Sequence, residues 1–147
     1  MDNGTVGTVL KANEEDQVLL MVAYDPNTMP HRGMDGFIDV VSARAIEKAC
    51  WKFSDNGAKV SLFHKGMEHQ CRTVENYIYR NPEPWVIKNK DGSEIVVKEG
   101  CWIVAIKCDD PTWLLYKAGL IGGASPEGRC QRIPPRKETL ARIAASL

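Results

Sequence analysis

Hydrophobic positions in this chain come in two patterns, one nearly continuous and one periodic. Residues 17–24, Gln-Val-Leu-Leu-Met-Val-Ala-Tyr, are apolar almost without interruption. A strand with one wet face alternates every second residue, so this run predicts a strand buried on both sides. Residues 101–108, Cys-Trp-Ile-Val-Ala-Ile-Lys-Cys, predict a second central strand for the same reason. Residues 71–80 behave differently. At period two, Thr73, Glu75, Tyr77 and Tyr79 fall on one face, and Val74, Asn76 and Ile78 on the other. Residues 85–88 and 94–97, joined through Asp91-Gly92, read as a hairpin. Residues 60–64, Val-Ser-Leu-Phe-His, read as an apolar strand that ends on a histidine.

Helical spacing appears as well. Ile46, Ala49, Cys50 and Phe53 repeat at i, i+3, i+4, i+7. Ser42 stands before them as the N-cap, Val41 and Ile46 are placed as a hydrophobic staple, and Asn56-Gly57 closes the helix. Asp110 predicts the cap of a short helix, with Pro111 at its first position and Gly119 just past its end. After Pro134-Pro135, Leu140, Ile143, Ala144 and Leu147 give a final amphipathic helix. Its apolar face either packs home or binds a partner, and packing is the expectation. Residues 25–36 are broken by Pro, Asn and Gly and predict a long loop, either functional or a plain surface excursion. Residues 1–16 are a polar segment holding either a short first strand or a loose end. Residues 17–134 form the body, and 135–147 a terminal helix of the same domain. About seven strands and three helices, with strands mostly following strands, predict an α+β fold built on an antiparallel, barrel-like sheet.

Composition narrows the classes. A chain of 147 residues, 44% hydrophobic and 26% charged, suits one domain with its own core. Basic and acidic residues are both 19, so the formal net charge is zero. With no block of five basic residues, nucleic acid is not expected as the main partner. No apolar run approaches the roughly 18 residues of a membrane span. Residues 1–4 lack a charged-then-apolar leader pattern, so a cytosolic location is expected. The five cysteines (50, 71, 101, 108 and 130) form no Cys-x-x-Cys pair and read as free thiols, mostly buried. His64, His69 and Cys71 cluster in sequence, but no second ligand pair follows at finger spacing, so no metal site and no cofactor are expected. His31 and His69 read as loop residues. Trp51, Trp102, Trp113 and Tyr116 read as core anchors or barrel–helix contacts.

The stretch that changes the picture is 120–129, Leu-Ile-Gly-Gly-Ala-Ser-Pro-Glu-Gly-Arg. One hydroxyl, that of Ser125, sits among three glycines and an alanine. Small neighbours let a substrate backbone approach a side-chain oxygen. A serine needs a base to act as a nucleophile, and neutral imidazole is the usual one. His64 ends an apolar strand upstream and is the candidate base. The alternative is a glycine turn and a strand-end histidine that never meet. The serine lacks the Gly-x-Ser-x-Gly elbow of an esterase, and Pro126 stiffens the chain after it.

Several segments in order carry a resemblance. They are Asp39-Val40-Val41-Ser42, Glu47-Lys48-Ala49-Cys50-Trp51-Lys52-Phe53, the strand to His64, Val74-Glu75-Asn76-Tyr77-Ile78, Gly100-Cys101-Trp102-Ile103-Val104, Trp113 to Gly119, and Gly123-Ala124-Ser125-Pro126-Glu127-Gly128. Across residues 18–134 the chain resembles the prohead (capsid maturation) serine proteases of tailed bacteriophages, in their XkdF-like branch. The resemblance implies a fold like the herpesvirus assemblin proteases, a closed and mostly antiparallel β-barrel ringed by a few helices. It implies a serine endopeptidase that processes scaffold protein and major capsid protein within the assembling prohead, in the host cytoplasm. By the match Ser125 is the nucleophile and His64 the general base. The herpesvirus relatives orient that base with a second histidine after the serine, and no histidine follows Ser125 here. Glu75, on the next strand, is the first choice for the orienting role, with Asp35, Asp39 and His69 behind it. Gly122, Gly123, Ala124 and Gly128 permit an oxyanion-binding backbone, and Arg129 could donate to it. A homodimer is a further expectation, since the herpesvirus relatives use one to activate. The alternative is a degenerate protease fold serving as a capsid assembly partner.

Overall fold

The computed structural model describes residues 8–26, 31–32, 38–60, 71–123 and 137–146. In chain order the elements are β1 (Val9–Asn13), β2 (Val18–Tyr24), β3 (His31–Arg32), β4 (Ile38–Asp39), α1 (Ala43–Asp55), β5 (Arg72–Ile78), β6 (Trp85–Lys88), β7 (Glu94–Val97), β8 (Trp102–Lys107), α2 (Asp110–Lys117) and α3 (Lys137–Ser146). The two continuous apolar runs become β2 and β8, paired antiparallel at the centre of a four-stranded sheet ordered β1-β2-β8-β5.

That central position explains the missing alternation, because both faces are covered. On one face Leu19, Met21 and Ala23 of β2 and Trp102, Val104 and Ile106 of β8 pack with Ile46 and Cys50 of α1 and Trp113 of α2. On the other, Val22 and Ile103 pack with Val97, Trp85 and Ile87 of the β6–β7 hairpin. The fold is therefore layered: helices, sheet, hairpin. Burial of such side chains is worth about 1.5–3 kcal/mol each.

The expected closed β-barrel is not formed. β1 and β5 lie at opposite edges of the four-stranded sheet, and β6 pairs with β7 rather than bridging those edges. Closure needs every edge strand to be paired on both sides. Here the hairpin is spent covering the second face of the sheet instead of extending its hydrogen-bonded ladder.

The helix signals hold locally. The Ser42 hydroxyl accepts from the Ala45 amide at 3.1 Å, and Gly57 follows the helix at φ +88°, where an L side chain is disfavoured. Ala49, expected on the packed face, is exposed. The second helix starts one residue earlier than expected. Asp109, not Asp110, is its N-cap and accepts from the Thr112 amide at 2.9 Å. The sequence offers two consecutive aspartates, and residue type alone does not choose between them. Trp102 and Trp113 anchor the core as expected, whereas Trp51 is 48% exposed with the Arg44 guanidinium over its ring. The long loop of 25–36 contains β3, which pairs with β4 as His31↔Asp39 and Arg32↔Ile38. In the terminal helix Leu140 is 52% exposed and Ala144 is exposed, so the expected packing of that face is not seen at these positions.

Candidate functional site

Seven of the site candidates singled out above, His64, Ser125, Ala124, Gly128, Arg129, Asp35 and His69, lie outside the described residues. The strand expected at 60–64 lies outside them beyond Val60. The structure does fix the points from which the two candidate stretches leave the core. Val60 and Cys71, which bracket His64, both pack against the helix-side core. Between Ala58 and β5 there is a further tie, the Thr73 hydroxyl donating to the Ala58 carbonyl at 3.0 Å. After α2, the backbone turns at Gly119 and runs to β1, where the Gly122 carbonyl accepts from the Val9 amide at 3.3 Å. Gly123, half-buried, is the last described residue before Ala124 and Ser125.

Glu75 is described. It lies on β5 opposite Ala105, and it is exposed. Its face differs from the simple period-two reading. A register shift between Thr73 and Glu75 places Thr73 opposite Ile106 and Glu75 opposite Ala105, consecutive residues of β8. Thr73 therefore shares the helix-side face with Asn76 and Ile78, while Glu75 and Tyr77 share the hairpin-side face. An inserted residue in one strand produces this change of side, and nothing in the sequence marks it. Burial, and then the negative charge of Glu75, push the Tyr77 phenol above its usual pKa.

Asn76, one residue on, is a residue that sequence reasoning passed over. Its side-chain amide donates to the Cys50 carbonyl at 2.9 Å and to the Ser54 hydroxyl at 2.7 Å. Its oxygen accepts from the Trp102 indole at 2.6 Å. One amide therefore joins β5, β8 and α1. A polar residue on the apolar-facing side of a strand was the available signal.

A surface groove of about 420 Å³ lies where α1 begins beside the end of β5. Arg44 and Arg80 enter it and both pair with Glu47, holding that carboxyl below the usual range, Arg80 foremost. None of its lining residues is a serine, cysteine or histidine. Among the described residues no group of three or more His, Cys, Asp or Glu side chains is placed to hold a metal ion. No described helix is long and apolar enough to cross a membrane.

A family model described as "putative phage serine protease XkdF" matches residues 5–134. The phage-like element PBSX protein XkdF of Bacillus subtilis (strain 168) is 28% identical over 119 residues, which cover 80% of this chain. The match spans 39% of that relative's own length. No solved structure matches.

Proposed function

The chain belongs to the phage XkdF family, and from that premise we propose that it is a serine endopeptidase of prohead maturation, with scaffold and major capsid proteins as substrates. The observation that carries the reading is the extent of the family match, residues 5–134, which takes in His64, Glu75 and Ser125 together. Ser125 attacks the scissile carbonyl while His64 takes the hydroxyl proton, and water then clears the acyl-enzyme. His64 returns the proton to the leaving amine. Glu75 is the orienting carboxylate: it fixes the imidazole tautomer and stabilises the imidazolium. Its place on a strand paired to β8 supports this role, since a rigid element holds an orienting group better than a loop does. Backbone amides of the 122–128 stretch receive the oxyanion, each worth about 3 kcal/mol. Arg129 is a further donor in this reading.

The test is co-expression with the scaffold and major capsid proteins of the same phage head, read by intact mass. Scaffold fragments are expected with wild type and absent with Ser125→Ala, a loss on the order of 10⁵–10⁶-fold in kcat. Glu75→Gln should lose about 10⁴-fold while leaving the fold intact. Assembled heads with uncut partners in the wild-type sample would overturn the protease reading and leave the assembly-partner role.

A further inference from the structure

Cys71 and Cys108 stand across from one another at the end of the β5–β8 ladder. The register pairs Arg72 with Lys107, so the next step outward pairs Cys71 with Cys108. Both side chains belong to the helix-side core, Cys108 buried and Cys71 half-buried at its margin. The Cys108 amide donates to the Gln17 carbonyl at 2.9 Å, on the side of β2. A strand residue directs its N–H and C=O to the same neighbour, so toward β5 this is a non-hydrogen-bonded pair. Such pairs hold their Cα atoms about 4.5 Å apart with side chains close, inside the window of about 4.4–6.8 Å that a disulfide spans.

The environment is that of a protected thiol pair. Cys71 Sγ donates to the Thr112 hydroxyl at 3.3 Å and lies 3.7 Å from the Asp109 carboxylate. Burial, with the charge and hydrogen bond of Cys71 beside it, pushes the Cys108 thiol up to about 12. Cys50 and Cys101, both buried, sit elsewhere in the two cores.

We propose that Cys71 and Cys108 are a thiol-oxidation site that closes to an intrachain disulfide when the folded protein meets a two-electron thiol oxidant. The partly accessible Cys71 reacts first. With a diazene such as diamide, its sulfur adds to one nitrogen and a proton goes to the other. Cys108 then attacks the Cys71 sulfur. The S–S bond forms, the S–N bond breaks, and the hydrazine leaves with both hydrogens, so two thiols are oxidised and one diazene reduced. The new bond joins the first residue after the stretch carrying His64 to the last core residue before α2. It is independent of whether the chain cleaves peptides.

The experiment oxidises the folded chain with diamide, quenches, and counts thiols after unfolding. Wild type should fall from five free thiols to three, with a loss of two hydrogens in intact mass. Non-reducing proteolysis should recover one linked pair of peptides bearing Cys71 and Cys108. Cys71→Ser should keep all its remaining thiols at the same dose. Should Cys108→Ser fail to fold, peptide mapping of wild type alone still decides. A count that stays at five, a lasting hydrazine adduct on Cys71 without closure, or a linkage through any other cysteine would overturn the proposal.

Discussion

At the scale of single residues, Asn76 and Cys108 carry the clearest consequences. The Asn76 amide satisfies the Trp102 indole N–H, the Cys50 carbonyl and the Ser54 hydroxyl at once. Asn76→Ala should therefore cost about 2–3 kcal/mol in urea denaturation, because the indole N–H of a 5% exposed tryptophan loses its acceptor. Trp102→Phe removes that donor as well, so the two substitutions together should cost less than the sum of their separate effects. Strict additivity would mean the hydrogen bond contributes nothing to stability. Cys108 predicts a pH dependence. Its folded thiol is raised to about 12 from an ordinary value of 9.0. The unfolded chain thus loses its proton first as pH rises, and binds fewer protons than the folded chain between those values. Stability then falls with pH over that window, at up to about 1.4 kcal/mol per unit for one thiol, and is fully retained below pH 9. Cys108→Ala should flatten this slope relative to wild type, measured by urea midpoints from pH 8 to 10. An unchanged slope would mean that the Cys108 thiol titrates alike in both states.

At the scale of elements, the caps test how local signals are read. Asp109→Ala removes the acceptor of the Thr112 amide and should cost about 1 kcal/mol, while Asp110→Ala, at the first helical position, should cost a few tenths. The reverse order would put the cap where the sequence first suggested. Much of the element list was legible because its causes are local. An Asp-Gly turn with Gly92 at φ +88°, a Ser42 cap, and apolar runs at 18–24 and 102–107 each announce themselves within a few residues. What was not legible depends on partners distant in sequence. The register shift before Glu75 is set by how β5 meets β8, and it moves Thr73 across the sheet. Trp51 reads as a core anchor from its type, yet α1 turns it outward, where Arg44 lies over the ring. Of the candidate site, the sequence offers residue types in an order; His64 and Ser125 lie outside the described residues, and the family match spans both. The cross-strand meeting of Cys71 and Cys108 could not, since 37 positions (108 − 71) separate them and only the register joins them.

At the scale of the whole molecule, the open sheet has consequences that a barrel would not. β2 and β8 are each paired on both sides and covered on both faces, so their amides open only when the whole domain unfolds. Met21, Val22, Ile103 and Val104 are nearly inaccessible and sit at the heart of that pairing. β1 is an edge strand with a register shift after Val9 and exposed residues from Lys11 to Asn13. It can detach while β2 stays paired to β8. Native-state hydrogen exchange should therefore find β2 and β8 slowest, with the Lys11–Asn13 amides at least about ten-fold faster through local opening. In a closed barrel every strand would have two partners, and β1 would exchange with β2 at the global limit. Equal protection across β1, β2, β8 and β5 would mean that β1 opens only with the whole sheet. The predicted gradient also bears on the Ser125 stretch, whose last described anchor is the bond from Val9 to Gly122 on that same edge. An edge that opens locally would release this anchor along with β1. Under the proposed function, substitutions that loosen β1, such as Leu10→Ala at a 6% exposed position, should lower scaffold cleavage more than an equally destabilising change in the β6–β7 hairpin does. If both changes lowered cleavage only in proportion to the folded fraction, β1 would have no special part in the proposed activity.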